Sequence, residues 1–391
     1  MKGRKAKKSK ADVIPANEPA QQRIFAIDAL RGFDMLFIMG LGAVFYGLAA
    51  AWPCAATAWM KAQMGHVPWH GLHVIDCVYP TFLFVAGLSF PFSYAKQAAR
   101  GDSQLAIHLK MLKRMVALFL LGCLYNVCTV PGPHFEHFRY ASVIGRIGVS
   151  WFFAALLFVH FRWRVRAIIA ALFLIAYYVL VCYVPAPDMP PGTDPLSLEG
   201  NFAGYVDRLF MPGMLWEKNA AGVELMEPSG TLENLPSIVT ATLGMFAGEF
   251  LRNPKFTAAK KALYLAGAAA GLIGFGLFWS LDFPLNKKLW SSSFVLTVGG
   301  ISTAFLALFY WFIDVLGFVR WSFFFRVIGA NSITIYMAQV LISFWAIRDL
   351  LFGHLMKQME GWGDFVGGLG YVLVCWLFLL FLYRRKWFLK V

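Results

Sequence analysis

Runs of about 20 apolar residues recur along this chain, and few features constrain a fold more. Inside a bilayer no water satisfies the backbone N–H and C=O groups, so each run must be a helix bonded to itself. Ten runs are long enough, at roughly 29–51, 73–95, 113–130, 141–160, 166–184, 236–251, 261–280, 291–315, 325–345 and 365–383. The sequence therefore predicts an all-α integral membrane protein, a polytopic bundle of about ten transmembrane helices. Residues 23–391 read as one transmembrane domain. Residues 1–22 read as a disordered basic tail attracted to an anionic membrane face. Only 14% of the 391 residues are charged, against about 25% in a soluble domain.

The net charge of +14 does not indicate a nucleic-acid partner, because the basic residues fall in short clusters between apolar runs. Most of the 35 Lys and Arg lie in the N-terminal tail, in alternate loops near 96–114, 162–166, 252–261 and 320–326, and at 384–390. Basic loops stay in the cytoplasm, so both termini are expected there. The opposite loops hold Lys61, Arg139, Arg208, Lys218, Lys287, Lys288, Arg348 and Lys357. The longest loop, about 185–235, lies on that outer side. It is either a solvated connector or a lid, since long loops are often functional. The first 23 residues lack the apolar core of a signal peptide. Six scattered cysteines give no metal-binding spacing, and no metal is expected. A Cys54–Cys182 disulfide is disfavoured.

Ionisable groups at membrane depth are expensive and mark candidate sites. The densest group is His66-Val67-Pro68-Trp69-His70-Gly71-Leu72 with His73 and Asp76, at the outer mouth of the second run. A neutral imidazole can take a proton from a nucleophile or accept an acyl group, and Asp76 could orient His66, His70 or His73. The alternative is an interfacial belt of His and Trp. At the start of the first run, Asp28 and Arg31 share a helix face. They form either an ion pair or, with Arg114, an entrance for an anionic ligand. Arg146 needs an anion: Asp34, Asp76, Glu136 or a ligand. Asn286-Lys287-Lys288 is an outer basic turn that runs against the orientation bias, and it is either an acceptor contact or a plain interfacial turn. Asn331, in Gly329-Ala330-Asn331-Ser332, sits among small residues that commonly pack helices.

Taken in order, these motifs resemble the transmembrane acyltransferases typified by heparan-alpha-glucosaminide N-acetyltransferase, and in particular the bacterial members. The matching pieces are Asp28/Arg31-Gly32, His66-x-x-Trp69-x-Gly71-Leu72 with Asp76-x-x-x-Pro80, the Arg114 helix start, Gly145-Arg146-Ile147-Gly148, Pro228-Ser229-Gly230-Thr231-Leu232, Asn286-Lys287-x-Leu289-Trp290 and Gly329-x-Asn331-Ser332. The resemblance implies transfer of an acetyl group from cytosolic acetyl-CoA to an amino sugar or glycan across a bacterial inner membrane. It implies a catalytic His66 with Asp76 and cofactor contacts at Arg31, Arg114 and Arg146. It further implies acceptor contacts at Asn286 and Lys287, and a homodimer; Trp69, His70 and Asn331 are expected to contact substrate beside them. The stretch Ala51-Trp52-Pro53-Cys54-Ala55-Ala56 lacks the Asn that the lysosomal enzyme carries before its histidine, and His70 stands where that enzyme has Asn. The rival expectations are a sugar or glycan-precursor transporter or flippase, without obvious internal repeats to support it, and a non-catalytic assembly factor.

Overall fold

The computed structural model describes residues 24–130 and 138–389. The basic tail 1–22 and Glu136 lie outside them. Helix α1 (Phe25–Leu36) passes through a π-helical turn, Phe37–Leu41, into α2 (Gly42–Ala51). Gly40 supplies the break with φ of 126°, a conformation open to glycine because it has no Cβ. Short α3 (Ala55–Gln63) precedes the long helices α4 (Val74–Ala99), α5 (Gln104–Thr129), α6 (Val143–His160) and α7 (Trp163–Tyr183). The segment near 185–235 is folded: it holds α8 (Phe202–Phe210) and an antiparallel pair, β1 (Glu217–Lys218) and β2 (Glu224–Met226). Then follow α9 (Asn234–Arg252), α10 (Ala258–Trp279), α11 (Ser292–Tyr310), α12 (Phe323–Ala330), α13 (Ser332–Leu341), α14 (Phe344–Gln358) and α15 (Gly363–Arg384).

All ten apolar runs are helical, but they are not ten equal spans. Among the described residues, eight helices are long and apolar enough to cross a membrane, or nine if α12 and α13 count as one broken span. That pair bends by 69° at Asn331, whose backbone leaves the helical region (φ −132°, ψ 34°). The tenth run, α9, is a helix of 19 residues carrying Ser237, Thr240, Thr242 and Glu249, and it does not qualify as a lipid-crossing helix. The reason is its surroundings. It packs against α4, α6, α7 and α11, so its surface meets protein instead of lipid and tolerates hydroxyls.

Helices α4, α9 and α11 form the centre. In α11 78% of the apolar window is buried and in α4 67%, against 22% in α5 and α10; the latter two face outward with Leu, Phe and Val exposed. Close approach of α4 and α9 depends on two glycines. A Cβ on Gly87 would stand 2.1 Å from the Ala241 carbonyl oxygen, and one on Gly244 1.9 Å from that of Phe84. At one end, residues 52–73 and 185–233 form a roof over the helices. Trp69 donates its indole N–H to the Leu196 carbonyl at 2.7 Å, and Arg139 grips Glu227 through two hydrogen bonds of 2.9 and 2.6 Å. The long segment is thus folded and packed onto the helices, and not a loose connector. All six cysteines, Cys54 and Cys182 included, are free.

Candidate active site

Asp76 is the third residue of α4, and its position follows from capping. His73 precedes the helix in an extended conformation, and its N–H donates to Asp76 Oδ2 at 3.1 Å. A carboxylate in the first turn satisfies an orphan backbone donor and suits the positive end of the helix dipole. The other oxygen, Oδ1, lies 2.7 Å from His66 Nδ1. Asp76 is buried while His66 is exposed. The carboxylate therefore holds Nδ1–H and leaves the lone pair on Nε2, the tautomer a general base needs.

The three neighbouring histidines are now distinguished. His66 takes Asp76. His73 donates from Nδ1 to the Gly65 carbonyl at 2.6 Å and anchors the loop. His70 Nδ1 meets the Asn286 amide nitrogen at 3.3 Å. Lys287 brings its ammonium to 3.1 and 3.3 Å from the two ring nitrogens of His66 and to 3.4 Å from Asp76 Oδ1. Burial pushes this lysine below its ordinary range, opposed by the Asp76 charge.

Two cavities lead to and from this group. One of about 450 Å³ lies under the roof and is lined by His66, Trp69, Asp76, Lys287, Arg139 and Trp216, among others. The second, of about 550 Å³, opens toward the other end and is lined by Arg31, Arg114, Ser89, Asn331 and Ser332, among others. Ile38, Tyr79, Val143 and Tyr336 line both, so the two cavities adjoin there. Arg31 donates to Ser89 Oγ at 2.9 Å and stands 3.8 Å from Asp28. Arg114 lies over the Trp151 ring at 4.2 Å. Arg114 Nε and Asn331 Nδ2 are buried without a hydrogen-bond partner among the described residues, two donors held ready for an acceptor.

Several expected contacts lie elsewhere. Arg146 does not line either cavity. Its guanidinium donates to the Pro228 and Glu233 carbonyls at 2.6 and 2.7 Å and to Ser237 Oγ at 3.4 Å, and it lies 4.3 Å over the Trp290 ring. Backbone carbonyls and an aromatic face thus do what an anion was expected to do, and Arg146 ties the roof to the bundle. Asn286 is fully buried; its side-chain oxygen accepts the Leu289 N–H at 2.9 Å, which pins the turn that aims Lys287. His70, exposed, and Asn286, buried, line neither cavity. Asn331 lies with Arg31 and Arg114, away from Trp69 and Lys287. Tyr79 at the junction carries no motif of its own in the sequence, although it stands three residues after Asp76 and so shares its helix face. Trp216 on the roof stacks on Arg139 at 4.3 Å; the sequence offers Trp216 only as one aromatic of the long outer segment, and Arg139 only as one of its outer-side basic residues.

A helical bundle with eight or nine spans among its described residues that holds a carboxylate–histidine pair in one of two adjoining cavities defines an integral membrane protein with a candidate acid–base site. No family model matches the chain. It is 26% identical to heparan-alpha-glucosaminide N-acetyltransferase of Homo sapiens over 436 aligned positions, covering 97% of this chain and 62% of that protein. It is 26% identical to the Mus musculus protein of the same name over 442, covering 98% and 64%. The chain thus spans less than two thirds of the length of these relatives. The likeness runs along nearly all of the chain and is that of a distant relationship.

Proposed function

We propose that this protein is a transmembrane acetyltransferase that takes an acetyl group from acetyl-CoA at one membrane face and delivers it to an amine or hydroxyl of a sugar or glycan at the other. The observation that carries this reading is the pair of adjoining cavities, cationic at one end and carrying His66–Asp76 at the other. Guanidinium groups pair well with phosphates, so Arg31 and Arg114 suit the nucleotide end of CoA, with Asn331 as a further donor. The junction, with two aliphatic and two tyrosyl side chains, suits a thin amide-bearing arm. The bias of Lys and Arg toward alternate loops supports an orientation with the Arg31 end in the cytoplasm and the roof outside, in a bacterial-type inner membrane.

At the His66 end the chemistry is acyl transfer. Nε2 takes the proton of the acceptor amine or hydroxyl as it attacks the thioester carbon. The C–S bond breaks, and CoA leaves as a thiolate that collects a proton. Asp76 stabilises the imidazolium, and the Lys287 ammonium, 3.1 Å from the His66 ring, supplies a positive charge beside the reacting group. Trp69 and Trp216 offer apolar faces to a sugar ring. Purified protein given acetyl-CoA and glucosamine is expected to release CoA, and His66→Ala to release none while remaining folded. Equal release by the variant would overturn the mechanism.

A further inference from the structure

Near the Arg31 end, a second pair of histidines stands apart from the site already described. His108, in the second turn of α5, and His160, the last residue of α6, bring their Nε2 atoms to 2.9 Å across the helix interface. His108 Nδ1 lies 2.6 Å from the Gln104 carbonyl. A carbonyl only accepts, so Nδ1 carries the proton and the lone pair is fixed on Nε2. This is the arrangement metal-ligating histidines commonly show, with the distal N–H tied to a backbone carbonyl. His160 reaches the same state by moving its proton to Nδ1, with no net proton released.

The geometry points to a two-histidine chelate for a divalent late transition-metal ion, joining α5 to α6. Two nitrogens, each about 2.05 Å from a metal, stand about 2.9 Å apart when they subtend 90° and about 3.3 Å apart when they subtend the tetrahedral angle. Without metal this spacing is the N–H···N hydrogen bond that the two rings share; an ion in place of its proton keeps about the same spacing at the right angle, the geometry of tetragonal Cu²⁺ and Ni²⁺. Among the described residues no group of three or more His, Cys, Asp and Glu could hold a metal, so water completes the coordination. His160 is exposed and His108 half-buried, which leaves room for those waters. The nearby Lys110 ammonium is drawn to Asp102 at 2.5 Å. A bound ion would tie together two helices that both line the arginine cavity, through Arg114 and Leu118 on α5 and Ile144 and Ile147 on α6.

The test uses tag-free, full-length protein in detergent, titrated with Cu²⁺ and with Ni²⁺ by calorimetry. His108→Gln and His160→Gln are tested singly and together. One site of micromolar affinity is expected, weakened at least tenfold by either substitution. The Cu²⁺ spin-resonance spectrum is expected to show two coupled nitrogens in wild type and not in the variants. Thermal melts in the absence of metal are expected to be unchanged, since both side chains lie at the surface. Binding that survives the double substitution, or loss from only one of the two single variants, would overturn the chelate.

Discussion

At the scale of single residues, the site depends on what each polar atom faces. Asp76 accepts both the His66 ring proton and the His73 N–H, and Asp76→Asn separates these duties. An amide oxygen still accepts the cap bond, so the fold should survive, but the charge opposite His66 is gone. The expected result is a fall in kcat of about 10²–10⁴, the usual contribution of a general base, with the melting temperature little changed. Parallel loss of activity and folded protein would refute the division. Arg114 has a different task. Removing one charge-assisted contact to a phosphate costs about 2 kcal/mol, so Arg114→Ala should raise KM for acetyl-CoA roughly 30-fold while leaving kcat near wild type. His66 and Asp76 could be read from the sequence because charge at membrane depth is rare. Arg146 and Asn286 could not be sorted from ligand contacts, because their partners are carbonyls of Pro228 and Glu233 and the N–H of Leu289, which the chain brings in from a distance.

At the scale of elements, the apolar runs announced nearly every helix, and the exceptions have physical causes. Helix α9 passes as a span in the sequence and is instead wrapped by protein; α12 and α13 read as one helix until Asn331 breaks them. Short α8 and its neighbours were hidden because polar capping, not apolar length, defines them. Asn201 caps α8 by accepting the Gly204 N–H at 2.6 Å, and Asp207 within it accepts the N–H groups of Glu227 and Thr231 at 3.1 and 2.8 Å. Burial raises Asp207 to about 6 and also raises Glu233, next to α9. An unfolded Asp ionises near 3.9. Between about pH 4 and 6 the folded roof therefore keeps a proton that the unfolded chain has lost, and stability must fall as pH rises through that window. Asp207→Asn removes this titration, and Glu233 retains its own. Melting temperature plotted against pH should thus slope less steeply from 4 to 6 in the variant. An unaltered slope would show that Asp207 does not titrate there.

At the scale of the whole molecule, the two cavities meet at Ile38, Tyr79, Val143 and Tyr336, which line both, and the proposed transfer needs a passage between those side chains. Each of those side chains comes from a different helix or turn, namely the π-helical turn after α1, then α4, α6 and α13. For that reason no sequence motif marks the passage. Its existence makes a topological prediction. In proteoliposomes of uniform orientation, acetyl-CoA on the face of the arginine cavity should acetylate an amino sugar on the roofed face, and not one supplied on its own side. Val143→Trp adds an indole to the wall that both cavities share. It should reduce transfer across the membrane at least 100-fold while acetyl-CoA affinity, set mainly by Arg31 and Arg114 at the far end, drops by less than tenfold. If donor and acceptor react equally well from the same face, or if the indole leaves transfer intact, the two cavities work independently and the passage between them carries no acetyl group.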